Sequence, residues 1–432
     1  MHRFFLIFIV LLCRGGFHSF AGLVNGQRTL QLVNLLYRHG DRTPVNIYPT
    51  DPHQADTWPE GLGQLTTLGM NMHYNLGQWL RKRYIDSGFM NATYNRLSLH
   101  VRSTDKDRTL MSAESDLAGL YPPQGNQKWK AGFDWMPIPV HTVPLDEDYL
   151  LEANGPPCPV YDELKEQIKD EAEYKELEAQ YKDFMANLTI NTGFKTPVTV
   201  NNIYKIEDPL FVERQHNLSW PAWTNVPGFY TTLKFLSDKG MYFLFNSKEK
   251  SRLKGGPLVG QIIDNMVNKS TTTDPDDLRR RVYMYSAHDT TVAAFQSALG
   301  VYNGLQPPLA SCVGIEMWKE VSGEYTVNMW YHNDTTKDVP YPLLLDNCNR
   351  SSCPLDDFIK VTKDIVPDDI KQECGVAAPV GLNSTLIIIL VSIVIGLLAI
   401  IIIALAGLVV CRCRSNRTKD GHIRLPTDDT TA

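Results

Sequence analysis

Residues 30–44 read LQLVNLLYRHGDRTP, an apolar run followed directly by a cluster of charged side chains. The run is ended by a glycine and a proline, which is typical of a buried parallel strand that stops at polar residues. Arg38, His39 and Arg42 lie where that strand ends. In open α/β sheets, ligands bind beyond the carboxyl ends of the strands. The stretch therefore predicts a parallel strand with a cationic binding site at its end.

A second apolar run, RRVYMYSAHD at residues 280–289, has the same form and is also predicted to be a buried strand. The segment TTVAAFQSALG that follows predicts a helix with Thr290 or Thr291 as its N-cap and Gly300 as its stop. LTTLGMNMHYNLGQWLRKRY, residues 65–84, predicts another helix after the first strand. Strands that alternate with helices in this way indicate an α/β sheet covered on both faces.

The segment from about 145 to 255 differs in composition and is predicted to be a helical cap inserted into the sheet domain. Within it, residues 161–188 carry apolar side chains every three or four positions, which predicts an amphipathic helix. These apolar positions are Leu164, Ile168, Leu177, Tyr181, Phe184 and Leu188. A coiled coil is disfavoured because no heptad persists beyond three turns.

Three strand ends supply the candidate site. His288 and Asp289 follow the second run, and in LHVRSTDKDRTLMSA the short apolar stretch closes at Val101 and is followed by Arg102. Buried cations without a partner are costly, so a pocket rich in arginine is expected to bind an anion. Because the arginine fork matches phosphate bidentately, the inventory favours phosphate over a lone carboxylate.

Motifs that are missing from the sequence exclude several kinds of catalytic site. The chain has no HExxH, GxxxxGK[ST] or GxSxG motif, and its His and Asp residues lack metal-ligand spacing. No cofactor is therefore expected. The mechanism that remains uses a histidine nucleophile, which carries the phosphoryl group between two half-reactions. Asp289 is then the general acid that protonates the departing alcohol.

RHGDRTP, RSTDKDRTLMSA and SAHDTT together resemble the motifs of the histidine acid phosphatases, and the similarity extends through the whole segment between the two termini. The resemblance implies a phosphoglycerate mutase-like α/β fold, with a mostly parallel sheet, helices on both faces and an inserted α-helical cap. It implies acid hydrolysis of small phosphomonoesters and a homodimer, with Trp129 in the contact region. It also assigns the site: His39 as the phosphorylated nucleophile, Asp289 as proton donor, and Arg38, Arg42, Arg102 and His288 as ligands of the phosphate oxygens.

Acidic operation follows from the same site. A free histidine, with a pKa of about 6.5, is mostly protonated at about pH 5 and cannot attack phosphorus. Neighbouring arginines oppose that protonation, while Asp289 beside a phosphate dianion holds its proton longer. We therefore expect activity to peak well below neutral pH.

The cysteines indicate an oxidising compartment. Five of them lie between the two apolar termini, and Cys348 and Cys353 flank only NRSS, which predicts a small closed loop. The family usually pairs the cysteine of ASC with one in the segment that here carries Val212. The resemblance therefore implies that Cys158 pairs with Cys374 and that Cys312 is free.

Both termini carry targeting signals. Residues 1–21 read as a signal peptide, and residues 386–410 are uncharged and long enough to span a bilayer. Residues 411–432 begin with CRCRSNRTK, and such basic residues favour the cytoplasmic side. A type I membrane protein is predicted, with residues 22–380 luminal or extracellular. The net charge of -6 argues against a nucleic-acid partner.

Seven Asn-x-Ser/Thr sites predict N-glycosylation in exposed loops. They are Asn91, Asn187, Asn217, Asn268, Asn333, Asn349 and Asn383. The tail has no tyrosine and no paired leucine, so both the lysosomal membrane and the plasma membrane stay open. Three alternatives remain. The first is a phytase or a lysophospholipid- or nucleotide-specific phosphatase of the same fold, the second is a phosphoglycerate mutase-like enzyme, and the third is a catalytically silent type I receptor glycoprotein.

Overall fold

The computed structural model describes residues 27–335, 337–346, 348, 351–376 and 384–417. The predicted signal peptide lies outside this part of the chain. The described residues form two compact units, one comprising residues up to 157 together with 161–370, and the other comprising 158–160 together with those from 371 onward. The sheet and the candidate site belong to the first unit.

The sheet of the first unit has seven strands, which run in the order β2-β3-β1-β4-β5-β6, with β7 paired to β5. They are β1 (Thr29–Arg38), β2 (Leu99–Ser103), β3 (Val282–Ala287), β4 (Cys312–Lys319), β5 (Tyr325–His332), β6 (Tyr341–Leu343) and β7 (Cys353–Pro354). β1 and β2 pair with β3 in parallel, whereas the other pairings are antiparallel. The α/β class is confirmed, but the sheet is mixed rather than mostly parallel, because a tight turn at residues 320–324 joins β4 to β5 as a hairpin.

Helices cover both faces of this sheet, as predicted. Leu32 and Leu36 of β1 pack in one apolar cluster with residues of the helices Gly256–Thr271, Asp289–Ala298 and Leu355–Thr362. Val33, Leu35 and Tyr37 point to the other face, in a cluster with residues of the helices Thr67–Leu80 and Asp107–Leu120. The alternation along β1 places one core on each side of the strand that leads into the site.

The helices, in chain order, are α1 (Thr67–Leu80), α2 (Asp107–Leu120), α3 (Pro159–Glu166), α4 (Ala172–Gln180), α5 (Lys182–Thr192), α6 (Tyr204–Gln215), α7 (Phe229–Phe245), α8 (Lys248–Lys254), α9 (Gly256–Thr271), α10 (Pro275–Arg279), α11 (Asp289–Ala298), α12 (Leu355–Thr362), α13 (Ile370–Glu373) and α14 (Ser384–Arg417). Residues of α4 to α7 share an apolar cluster of their own, which includes Leu177, Leu188, Leu210 and Phe243. This cluster lies within the segment predicted to be a cap.

The single helix predicted for residues 161–188 is wrong, because the chain breaks into α3, α4 and α5. Glu171 is extended (φ -65°, ψ 138°) between α3 and α4. Its carboxylate accepts hydrogen bonds from Lys250 Nζ at 2.9 Å and Asn246 Nδ2 at 2.6 Å. These partners are far away in sequence, so local periodicity could not reveal the break.

Helix α11 starts two or three residues earlier than the sequence indicated. His288, and not Thr290 or Thr291, is the N-cap residue. Thr291 instead accepts the His288 N–H at 3.4 Å and donates to Leu151 O at 2.7 Å. Gly300 follows the helix with a φ of 69°, a conformation that favours glycine, as its predicted role as a stop requires.

Two glycines let the loop after β1 rest on the first turn of α1. A Cβ atom on Gly69 would lie 2.1 Å from Asp41 O, and one on Gly40 would lie 2.4 Å from Gly69 O. Contacts this short cannot accommodate any side chain. The loop that carries His39 and Arg42 is therefore held directly against a helix of the core.

The structure contains both expected disulfides, Cys158–Cys374 and Cys348–Cys353, and leaves Cys312 free and buried in β4. Among the sequons, Asn91 and Asn217 are exposed outside the helices, whereas Asn333 is half-buried. Asn187 and Asn268 are exposed but lie within α5 and α9, contrary to the expectation that each sequon occupies a loop. The sequons at 349 and 383 lie outside the described residues.

Helix α14 of the second unit contains a stretch, Ile388–Val410, with a mean hydropathy of 3.4. Its 23 residues measure about 34 Å at about 1.5 Å per residue, which is enough to cross a hydrocarbon core of about 30 Å. The described side chains of this stretch are exposed in the chain alone. The helix has the length and composition of the predicted membrane span.

Two buried carboxyl groups meet between the loop after β1 and α6. Asp51 is 4% exposed and Glu213 is 0% exposed, and each carboxyl group affects the ionisation of the other. Burial, reinforced by the charge of Asp51, raises the pKa of Glu213 to about 9. Unfolded, Glu213 loses its proton near 4.5, so the folded state binds more protons between these two pH values. Stability should therefore fall as pH rises through this window.

We expect Glu213→Gln to raise the melting temperature at about pH 8 by about 3 °C or more, because the substitution removes a buried group that has to ionise or hold a proton. At about pH 4.5, where the wild-type carboxyl is protonated, the change should be much smaller. Thermal unfolding at both pH values measures the difference, with the exposed Glu176→Gln on α4 as the matched control. A gain of equal size at the two pH values would contradict the ionisation argument.

Candidate active site

The site lies where β1 and β3 end side by side. The two strands are parallel and pair Arg38 with Ala287, so the residues that follow each strand meet at the same sheet edge. The rings of His39 and His288 face each other with centroids 5.6 Å apart. Asp289 opens α11 directly behind His288. The pairing thus brings together side chains that are 250 positions apart in the sequence.

His39 is buried and held as a neutral imidazole. It is 2% exposed, and its Nδ1 lies 2.8 Å from Gly40 O. Because a carbonyl oxygen only accepts, Nδ1 carries the proton and Nε2 keeps its lone pair. Burial lowers the pKa of His39 well below its usual value, and the positive charges of Arg38, Arg108 and Arg42 lower it further. The imidazole therefore remains a nucleophile in acid.

Some N–H groups of the arginines around His39 make no hydrogen bond to a described residue. Arg38 donates to Pro307 O at 2.6 Å and pairs with Asp289 Oδ2 at 2.9 Å. Even so, the buried Nε atoms of Arg38, Arg42 and Arg108 have no hydrogen-bond partner among the described residues. Buried polar groups are nearly always satisfied, so these N–H groups indicate a site for an anion with several oxygens.

Arg102 is placed elsewhere by the structure. It lies inside β2, which continues to Ser103, and its guanidinium bonds the buried Asp148. Arg108, in the first turn of α2, lines the cavity with His39 instead. Burial and the nearby Arg42 lower the pKa of Arg108 to about 10, so it is still charged in acid. The apolar stretch closes at Val101, but β2 continues to Ser103. The apolar pattern therefore pointed to the first of the two arginines in RSTDKDRT.

Asp289 is strongly ionised in this arrangement. Burial opposes its charge, but Arg38 and Arg42 hold the pKa of Asp289 well below its usual range. Its Oδ2 also accepts a hydrogen bond from Gln306 Nε2 at 3.1 Å. A bound phosphate would offset the two arginines, so proton donation by Asp289 depends on the occupied state of the site.

Three side chains that the sequence did not indicate act on His288, either by direct contact or through Glu152. Its Nε2 lies 3.0 Å from Thr104 Oγ1 and 3.4 Å from Glu152 Oε2, and Glu152 also pairs with Lys106. Burial lowers the pKa of His288 despite the contact with Glu152. For Glu152, burial would raise the pKa, but His288 and Lys106 bring it to about 2. No local motif around Glu152 signals this role, because its partners Lys106 and His288 lie in the segments that follow β2 and β3.

Several of these side chains line a cavity of about 560 Å³. Besides His39, Arg42, Arg108, His288 and Asp289, its lining includes Lys165, Lys169, Tyr204, Lys205 and Met241. Among the described residues, no group of three or more His, Cys, Asp or Glu side chains is arranged to hold a metal ion. The cavity can therefore be described as a cationic recess with one free imidazole nitrogen.

Comparisons with known proteins agree with this geometry. Residues 29–332 match the model of the histidine phosphatase superfamily (branch 2). The chain is 46% identical over 354 residues to lysosomal acid phosphatase of Pongo abelii, covering 81% of each chain. It is 44% identical over 352 residues to prostatic acid phosphatase of Bos taurus, covering 81% of this chain and 88% of the relative. The solved structure of Hafnia alvei phytase in its apo form superposes with a TM-score of 0.63 at 17% identity, covering 81% of this chain and 98% of the phytase.

Proposed function

The chain belongs to branch 2 of the histidine phosphatase superfamily and is an acid phosphatase, and we propose that it hydrolyses phosphomonoesters through a covalent phosphohistidine at His39. One observation carries the proposal. The unprotonated Nε2 of a buried, neutral imidazole is surrounded by arginine N–H groups that have no partner among the described residues. A tetrahedral anion bound by those groups would have its phosphorus within reach of this nitrogen.

In the first half-reaction, Nε2 of His39 attacks phosphorus and the bond from phosphorus to the ester oxygen breaks. Asp289 supplies the proton that the leaving oxygen needs, since it is the cavity carboxylate adjacent to both Arg38 and His288. In the second, water attacks the phosphohistidine, Asp289 takes the proton of the water, and the P–N bond breaks to release inorganic phosphate. The enzyme returns to its starting state without a cofactor.

We assign the phosphate oxygens to Arg38, Arg42, Arg108 and His288. Arg108 takes the place that the sequence analysis gave to Arg102, because Arg108 reaches the cavity and acts on the charge of His39. Fixed cationic donors stabilise the charge that develops on the transferring phosphoryl group. The mutase and receptor alternatives are not favoured, since the relatives of high identity are acid phosphatases.

The depressed pKa of His39 sets the expected pH profile. The nucleophile should stay neutral well below its usual value of 6.5, so acid does not switch it off. We expect the purified protein to hydrolyse p-nitrophenyl phosphate with a maximum well below about pH 7. Steady-state kcat/KM measured between about pH 3 and 9 gives this profile. A rate that rises steadily through about pH 8 would contradict the expected acidic maximum.

We also propose that the protein is a type I membrane protein of the lysosomal membrane, with residues 22–380 luminal and residues 411–432 cytoplasmic. Residues 386–410 would form the span after removal of residues 1–21, and residues 145–255 would form the cap. The apolar stretch of α14 and the lysosomal relatives support this topology. The exposed ring cluster of Trp129 (54% exposed), Phe133 and Trp135 supports the homodimer implied by the resemblance.

A further inference from the structure

Arg42 is not free to meet a phosphate with its whole guanidinium group. Asp208 of α6 accepts a two-pronged ion pair from it, with Nη2–Oδ1 at 2.7 Å and Nη1–Oδ2 at 3.1 Å. Nη1 also donates to Thr43 O at 3.1 Å. Both side chains of the ion pair are largely buried, and Asp208 itself lines the cavity. A negative charge is thus built into the phosphate site beside one of its principal cations.

Most charges close to the two histidines of the site are paired. Arg38 pairs with Asp289, Arg42 with Asp208 and Lys106 with Glu152, whereas Arg108 makes no ion pair with a described carboxylate. Burial lowers the pKa values of His39 and His288, which disfavours a positive charge on either ring. Glu207 lies next to Asp208, but burial raises its pKa and it bonds the hydroxyl of Tyr230 at 2.9 Å. The site therefore carries about one net positive charge, which matches a singly charged phosphate better than a doubly charged one.

We propose that Asp208 is a specificity-determining residue of the phosphatase, which makes the cavity select the monoanion of a phosphomonoester over its dianion. The proposal rests on the phosphate site described above. Asp208 does so in two ways: it occupies one edge of Arg42, and it places a carboxylate where a second negative charge on the phosphate would be repelled. The N–H of Val45 also donates to Asp208 Oδ2 at 3.4 Å. The charge of Asp208 further acts on Arg108 from α2 and, on its own helix, on Tyr204 and Glu207.

Selection of the monoanion links the alkaline limit of activity to the substrate. Phosphomonoesters lose their second proton near a pKa of about 6, so the preferred form disappears as pH rises above that value. KM should then increase with pH even though His39 stays neutral and nucleophilic. With Asp208 replaced by a neutral residue, the site would carry about two net positive charges and would accept the dianion.

Competition by two anions on the full-length protein tests this directly. Sulfate is doubly charged throughout the working range, whereas inorganic phosphate at about pH 5 is mainly a monoanion. We expect wild type to favour phosphate over sulfate as an inhibitor of p-nitrophenyl phosphate hydrolysis. In Asp208→Asn, the ratio of the sulfate to the phosphate inhibition constant should fall about tenfold or more. The KM for glycerol 2-phosphate should also rise less steeply between about pH 5 and 7.5 than in wild type.

A carboxylate that merely positions Arg42 predicts a different result. Both inhibition constants would then rise together in Asp208→Asn and their ratio would stay constant, which would overturn the proposal. Asp208→Ser, which also removes the charge, provides the same ratio if the asparagine variant does not fold. Asp338→Asn is the matched control, because that carboxylate is exposed and pairs with Lys82 at the surface. Both anions compete whether or not His39 becomes phosphorylated, so this ratio is independent of the test of the nucleophile.

Discussion

Replacing His39 by alanine should lower kcat for p-nitrophenyl phosphate at about pH 5 by at least about 10⁴-fold, because the nitrogen assigned to form the P–N bond is lost. The loss should appear in kcat rather than in substrate binding, since the arginines that bind the phosphate remain. Removing an imidazole that bonds only its own loop should leave the melting temperature within a few degrees of wild type. Steady-state kinetics and a thermal melt on the same preparation measure both effects.

His141→Ala is the matched control for this experiment. His141 is exposed and stacks on His100, with ring centroids 4.9 Å apart, on the strand β2 side of the sheet. Its replacement should change kcat by less than about threefold, as expected of a surface substitution away from the site. Retention of a tenth or more of wild-type kcat by His39→Ala would contradict the assigned nucleophile.

The second large effect is expected at the two arginines of RSTDKDRT, which should differ in their contributions to activity and to stability. We expect Arg108→Ala to lower kcat/KM by about 10² to 10³-fold, the usual loss when one donor to a developing anion is removed. Arg102→Ala should lower it by less than about tenfold. It should instead destabilise the fold by about 3 kcal/mol, because Asp148 would be left buried without its cation. Kinetics and chemical denaturation of both variants give the comparison.

These two variants serve as controls for each other, since they exchange the same residue type six positions apart. The structure predicts opposite results for the two variants. Arg108→Ala should lose activity and keep most of its stability, whereas Arg102→Ala should lose stability and keep most of its activity. If Arg102→Ala were the variant that lost activity, the original assignment from the sequence would be correct and the placement of Arg108 in the cavity would be wrong.

The strands that carry the site could be predicted from local pattern alone. The apolar runs before His39 and before His288 have the length and polarity of buried strands, and parallel pairing then forces their ends together. The polar side chains that tune the site could not be predicted in this way. Glu152 and Asp208 act on partners 136 and 166 positions away, so no spacing rule connects them.

The different placement of Arg102 and Arg108 has a similar cause. A strand end is a boundary, and the sequence placed it at the last apolar residue, whereas the ladder with β3 runs on to Ser103. The turn that follows delivers the first turn of α2 to the sheet edge, so Arg108 arrives at the site in place of Arg102. The break at Glu171 has the same origin, because its side-chain partners come from the distant α7–α8 region. In both places a contact distant in the sequence decides the local geometry.

The central claim is that phosphorus is bonded transiently to Nε2 of His39. Rapid acid-free quenching of the protein with ³²P-labelled p-nitrophenyl phosphate at about pH 5 tests it most directly, followed by peptide mapping of the label. The structure predicts a labelled phosphoprotein that is labile to acid and stable to base, located at residue 39 and missing from His39→Ala. Turnover without any labelled protein on this timescale, or label on another residue, would contradict the account.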